Sequence, residues 1–270
     1  MTLTNKGMKS KKLNRISQVL VRIACFSPLV ASGANTLVLQ PGVLPTATYE
    51  SEATTIRSDN ANLNYGGASY GIVGRISASG QLRNVLGFSL GDLPAGSIIT
   101  SITLTIKGER NDSGSSISED VGFNLHELNS TFVEGVGNVN GANDTVGGVT
   151  WNSSQSGTSW TPGGDFNSLV LSSITANPEA ADEVTYTFGT SDAFVAAAQA
   201  ALDGDGSLDL LLKLNDTDES EGGRRAFFYH SDDAAILEDR PILTIEFIPE
   251  PASFALLVLG GMIGVVRRRR

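Results

Sequence analysis

Residues 101–106 read Ser101-Ile102-Thr103-Leu104-Thr105-Ile106, an apolar residue at every second position with a small hydroxyl residue between. Successive side chains of an extended chain point to opposite faces, so Ile102, Leu104 and Ile106 share one face and the hydroxyl residues the other. One buried face and one wet face is the pattern of an antiparallel sheet. Leu243, Ile245 and Phe247 repeat it near the C-terminus.

Working outward, short β-type runs recur at 48–58, 71–77, 83–89, 98–108, 121–128, 149–152, 184–188, 208–214, 226–230 and 242–248, separated by turn residues. The chain's 30 glycines supply those turns. One segment departs from the pattern. Residues 191–202 begin with Ser191 as a cap and Asp192 in the first turn, continue through a run of alanines and precede Gly204, which predicts a short helix with Phe194, Val195, Ala198 and Leu202 on its packed stripe. Many strands and one helix predict an all-β fold, an antiparallel β-sandwich or jelly roll.

The two ends have a different composition. Lys6, Lys9, Lys11, Lys12 and Arg15 precede a largely apolar stretch, 16–31, broken by Arg22 and closed by Ala31-Ser32-Gly33-Ala34. That is the layout of a secretory signal peptide over 1–34, with a signal helix. The single cysteine, Cys25, lies inside it, so the mature chain is expected to have no disulfide, thiolate metal site or cysteine nucleophile. At the other end, Pro249-Glu250-Pro251 is followed by the uncharged stretch 252–266 and by Arg267, Arg268, Arg269 and Arg270. A helix there satisfies its own backbone in lipid, and the arginines hold its end on the cytoplasmic side. The run falls short of the ~20 residues of an ordinary span, so it crosses with help from snorkelling arginines.

Between these ends, nine basic residues stand against 28 acidic ones, so the domain 35–248 carries a formal charge near −19. Such a surface excludes nucleic acid and anionic lipid as partners, because both need clustered Lys and Arg. Neutral glycans, cations and basic proteins remain.

The tail resembles the PEP-CTERM sorting signal of bacterial exported proteins: Pro249-Glu250-Pro251, an apolar helix, then an arginine cluster. The resemblance implies a processing partner, an exosortase, a transient membrane anchor over 249–270, and final placement at the cell surface or in the extracellular matrix of an exopolysaccharide-producing bacterium. The body resembles the DNRLRE domain, an exported jelly roll related to carbohydrate-binding modules. The residues that carry this are Ile56-Arg57-Ser58-Asp59, Asn64-Tyr65-Gly66-Gly67, Val73-Gly74, Arg83 leading into Leu86-Gly87-Phe88-Ser89-Leu90, Val149-Thr150-Trp151-Asn152, Phe227-Phe228-Tyr229-His230-Ser231 and Arg240-Pro241-Ile242-Leu243. This resemblance implies polysaccharide as a partner.

Few residues point to chemistry. Gly67-Ala68-Ser69-Tyr70-Gly71 spells G-x-S-x-G, but the nucleophile elbow needs a helix directly after the serine, and 72–76 read as strand. His126 and His230 are the only histidines and lie far apart, which argues against zinc. Asp203, Asp205 and Asp209 place oxygen ligands as in the first half of a calcium loop, yet the twelfth position is Leu214 where a bidentate glutamate belongs. They read first as a glycine-rich turn after a helix, with a structural calcium site as the alternative; no other cofactor is expected. Sugar binding needs aromatic faces flanked by amides or carboxylates. The available rings are Tyr65, Tyr70, Trp151 and Trp160; Trp151 falls in an apolar run and is expected in the core, whereas Trp160, on a Ser- and Gly-rich loop with Asp165 nearby, and Tyr65 are the leading candidates for stacking. The combined reading is a non-enzymatic surface or matrix protein. The alternatives are a secreted polysaccharide-degrading enzyme, requiring two carboxylates roughly 5–10 Å apart in a groove, and a purely structural module.

Overall fold

A computed structural model describes residues 33–250 apart from 77–79, 110–118, 139–141, 144–146, 178–182 and 222. The signal helix, the apolar run 252–266, Pro251 and Arg267, Arg268, Arg269 and Arg270 lie outside the described residues. The described chain forms strands β1 (Asn35–Leu39), β2 (Ser51–Arg57), β3 (Leu63–Asn64), β4 (Tyr70–Arg75), β5 (Gln81–Ser89), β6 (Ile98–Lys107), β7 (Val121–Leu128), β8 (Ala142–Asn143), β9 (Ser153–Gln155), β10 (Thr158–Ser159), β11 (Phe166–Ala176) and β12 (Thr185–Phe188). Helix α1 (Asp192–Asp203), β13 (Ser207–Leu214), the short helix α2 (Asp216–Ser220), β14 (Arg225–His230) and β15 (Ile242–Ile248) complete it.

The strands assemble into two main antiparallel sheets. The smaller has the order β1-β15-β6-β12, and the larger β11-β7-β13-β5-β4-β14, with β2 also paired to β5. Ile102, Leu104 and Ile106 of β6 and Leu243 and Ile245 of β15 are buried in a single cluster with Leu86 and Phe88 of β5, Phe123 and Leu125 of β7, Leu208, Leu210 and Leu212 of β13, and Phe227 and Tyr229 of β14. This is the sandwich core, and the period-two alternation of β6 and β15 generates it. A register shift between Glu246 and Phe247 lets Ile99 as well as Ile102 face inward.

Helix α1 forms as expected: the Ser191 hydroxyl accepts from the Phe194 amide, and Phe194, Ala197 and Ala198 are buried. Val195 and Leu202 are only half-buried. The helix packs on β6, β11 and β13, and Gln199 ties it to the sheet by accepting from the Ile99 amide at 2.8 Å.

Two elements differ from the sequence expectation. Strand β11 was not anticipated: its Leu169 and Val170 are exposed and its pairing with β7 shifts twice, so no period-two pattern survives in its sequence. Residues 149–152 are loop rather than strand. They belong to segment 129–165, whose described residues lie over the outer face of the large sheet. There Leu128, Phe132, Val149, Trp151 and Trp160 close on Ile56, Val85 and Leu211 to make a second core.

Candidate functional site

The candidate site lies where α1, β13 and the end of β7 meet. A cavity of about 210 Å³ opens there, lined by Glu127, Asn129 and Thr131 on one side and Asp205, Ser207 and Asp209 on the other. Asp205 and Asp209 are thus brought together. Asp205 Oδ1 accepts from the Ser207 amide at 3.0 Å and Asp209 Oδ1 from the Ser207 hydroxyl at 3.1 Å. Asp203 is not part of this arrangement: at the end of α1 its carboxylate accepts from Gln199 Nε2 at 3.1 Å. The calcium triad read from spacing therefore reduces to two carboxylates in one cavity, because a helix end and a strand present their side chains in unrelated directions.

Burial pushes the Asp209 carboxyl up to about 6, helped by the charge of Asp205. A third acid lies close by across β5. A Cβ on Gly87 would sit 3.1 Å from Asp209 Oδ1 and 3.3 Å from Glu52 Oε2, so the missing side chain leaves room for two like charges. Burial and Asp209 together raise Glu52 as well. An acid whose folded value exceeds its unfolded one binds extra protons in the native state, so the protein loses stability as pH rises from about 4 through about 6. Asp209→Asn is expected to flatten that segment of a urea-midpoint profile measured at half-unit pH steps; an unchanged slope would remove Asp209 as its source.

The residues chosen for stacking are corrected by their burial. Trp160 retains 7 % exposure and Tyr65 5 %. Trp160 lies in the second core and donates Nε1–H to the Trp151 carbonyl at 3.0 Å. The Tyr65 ring is covered by the Arg57 guanidinium, 5.3 Å from its centroid. Neither ring offers a free face, since the Ser- and Gly-rich segment around Trp160 is held down over the sheet. Asp165 Oδ1 accepts from the Thr161 amide at 3.0 Å and closes a turn. Trp151 is buried as expected.

The histidines and Ser69 are placed without catalytic company. Strand β4, not a helix, follows Ser69. His126 is buried, with Nδ1 3.0 Å from the Asn167 carbonyl and its ring against Phe166; burial lowers its pKa. His230 shares a cluster with Glu183 and Asp239 whose ligand atoms lie within 4.8 Å of one another. The Lys107 ammonium already occupies that cluster, paired with Glu183 and, at 2.6 Å, with Asp239. It performs the charge compensation a metal would.

The sequence assigns Arg83 no contacts and gives Glu134 and Asp232 no role. Arg83 joins α2 to the second core: its Nε and Nη2 reach both carboxylate oxygens of Glu219, its Nη1 donates to the Gly163 carbonyl, and it lies over the rings of Trp151 and Phe166. Glu134, half-buried, and Asp232, buried, stand in no motif; burial and the charges of neighbouring acids raise both carboxyls above the ordinary carboxylate range.

The chain thus presents an antiparallel β-sandwich with an acidic cavity and a distinct C-terminal tail. Residues 247–270 match the PEP-CTERM protein-sorting motif. That motif marks an extracellular protein targeted to an exosortase, exported and sorted at the membrane before surface display. No curated protein matches the chain. Among the described residues no helix is long and apolar enough to cross a membrane.

Proposed function

We propose that the domain is a non-enzymatic surface or matrix module of the DNRLRE jelly-roll type, released from its anchor near Pro249-Glu250-Pro251 and held among matrix polysaccharides. The observation that carries this reading is the sorting motif, which begins inside β15: Ile248 ends the strand and Pro249 and Glu250 follow without a linker. Support for the module type comes from the way the residues of the resemblance act together, Arg83 reaching both Trp151 and the Gly163 turn.

With Tyr65 and Trp160 buried, the aromatic surface we assign to a sugar is the Tyr70–Phe228 pair, two half-buried rings in contact with one another. Their centroids lie 5.6 Å apart, on neighbouring strands at the β14 end of the large sheet. Stacking on such rings contributes by apolar area and by C–H contacts with the ring face. Fractionation of cells producing the full chain tests both parts. A chain carrying Pro249→Ala and Pro251→Ala is expected to stay in the membrane fraction at full length. A chain carrying Tyr70→Ala and Phe228→Ala is expected to reach the surface but wash off the matrix several-fold more readily. Release of the first variant at the normal size would refute the sorting role, and normal retention of the second would refute the glycan contact.

A further inference from the structure

We propose that the folded domain restrains its own sorting motif, so that the processing enzyme cuts the chain when the end of β15 lifts off the sheet; this regulation rests on the sorting reading above. Strand β15 lies between β1 and β6, and its pairing runs to its last residue: Phe247 stands opposite both Asn35 and Ile99, and Ile248 opposite Ile98. Phe247 is buried in the sandwich core. Glu250, the acid of the motif, is seated too. A Cβ on Gly96 would stand 2.7 Å from its Oε2, 3.1 Å from its Cδ and 3.3 Å from its Cβ, so the Glu250 side chain lies along the bare face of that glycine. Gly96 has a φ of +74°, which glycine adopts without strain. Its turn is fixed from two directions: the Ser97 amide donates to the Pro94 carbonyl at 3.1 Å, and Gln199 of α1 donates to the Ser97 carbonyl at 3.2 Å while accepting from the Ile99 amide.

The motif starts where the sheet stops. Pro251 is three residues beyond Ile248 in the sequence, a reach of about 10 Å for a fully extended chain, so an enzyme that grips Pro249-Glu250-Pro251 works directly against the domain. An extended peptide is bound through its main-chain hydrogen-bonding groups, and on the domain side of the motif Ile248 and Phe247 are already engaged in the sheet. Opening has to proceed from the tail inward. Lifting Glu250 from Gly96 and Ile248 from Ile98 frees the chain from one neighbouring strand, whereas Phe247 is held by two strands and by the core, which makes it the natural stop of such fraying. Where opening is fast relative to cutting, the rate of cutting follows the open population. The anchored form then persists for a time that the fold sets.

Pulse-chase labelling of the full chain in a host that carries the processing enzyme tests this. Insertion of a Gly-Ser-Gly-Ser-Gly-Ser linker between Ile248 and Pro249 keeps the motif and the strand and adds about 20 Å of reach. It is expected to shorten the half-life of the anchored form several-fold. Gly96→Ala, whose methyl displaces Glu250, is expected to shorten it to a smaller extent. The pair Ile98→Cys, Ile248→Cys acts in the opposite sense, since directly opposed residues of antiparallel strands lie within disulfide reach. Once closed, it is expected to lengthen the half-life several-fold, and a reductant to restore the original rate. A half-life unchanged or lengthened by the linker or by Gly96→Ala, or ordinary release of the closed cysteine pair, would overturn the proposal. Neither result touches the sorting reading, which fails instead if the chain carrying Pro249→Ala and Pro251→Ala is released at the normal size.

Discussion

Arg83→Met is expected to lower the unfolding free energy by about 3–5 kcal/mol, the cost of leaving one partner of a buried ion pair without the other. Both side chains are well shielded, Arg83 at 12 % and Glu219 at 11 % exposure, so solvent screening does not erase the interaction as it would on the surface. The fork geometry adds to the charge. Nε and Nη2 meet the two Glu219 oxygens at 2.9 and 3.1 Å, and Nη1 reaches the Gly163 carbonyl at 2.9 Å. The ring centroids of Trp151 and Phe166 lie 5.2 and 5.4 Å from the guanidinium carbon. After the substitution Glu219 keeps Lys213 at 3.1 Å, which sets the lower end of the range, while the Gly163 carbonyl loses its donor.

Arg83→Lys restores the charge without the planar fork and is expected to recover less than half of the loss. The double variant Arg83→Met, Glu219→Gln should be more stable than Arg83→Met alone, because it removes a carboxylate left with Lys213 as its sole ion-pair partner among the described residues, while Lys213 keeps Asp216 at 2.6 Å. Urea denaturation of the four proteins measures all of this. A loss below about 1 kcal/mol for Arg83→Met would mean that the pair behaves as an exposed one.

How far the sequence reveals this molecule depends on whether a residue's partners are near it in the chain. The face of β6 was legible because alternation is local and strict. Helix α1 was legible because its cap, first-turn acid and alanines are neighbours. Strand β11 was not, since its apolar Leu169 and Val170 are exposed on a bulged strand and mimic no template.

Segment 129–165 was misjudged for a deeper reason. Serine, threonine and glycine around Trp160 usually mean an exposed loop, but here long-range bonds from Asn64 and Arg83 press the segment onto the sheet, and no local pattern encodes them. The same holds for the site. Spacing suggested that Asp203, Asp205 and Asp209 converge, and the strand direction of β13 brought only the last two together.

Asn64→Ala is the companion experiment, and it separates the two layers of the molecule. Asn64 has no exposed surface. Its amide donates to the carbonyls of Glu134 and, at 2.8 Å, Val149, while its carbonyl oxygen accepts from the amides of Gly66 and Gly137 at 3.2 and 2.9 Å. One side chain thus satisfies four main-chain groups and fastens the covering segment at Glu134, Gly137 and Val149. The chain has been shaped around it: a Cβ on Gly148 or Gly135 would overlap the Asn64 amide, and one on Gly137 the Asn64 main chain. Alanine would leave four buried polar groups unpaired at about 1–3 kcal/mol each before water enters, so a net loss of at least about 4 kcal/mol is expected. Asn64→Asp should be worse at pH 7, since a carboxylate faces two carbonyls in place of the donors, and should recover in part when acid protonates it.

The loss should be local before it is global. Both tryptophans belong to the second core, so their fluorescence reports the covering layer alone, whereas far-ultraviolet circular dichroism reports the sheets beneath. In Asn64→Ala the emission is expected to shift to the red at a lower urea concentration than the dichroism transition, splitting one unfolding step into two. A single coincident transition within 1 kcal/mol of the unaltered protein would show instead that Ile56, Val85 and Leu211 hold the covering segment by apolar contact without the asparagine.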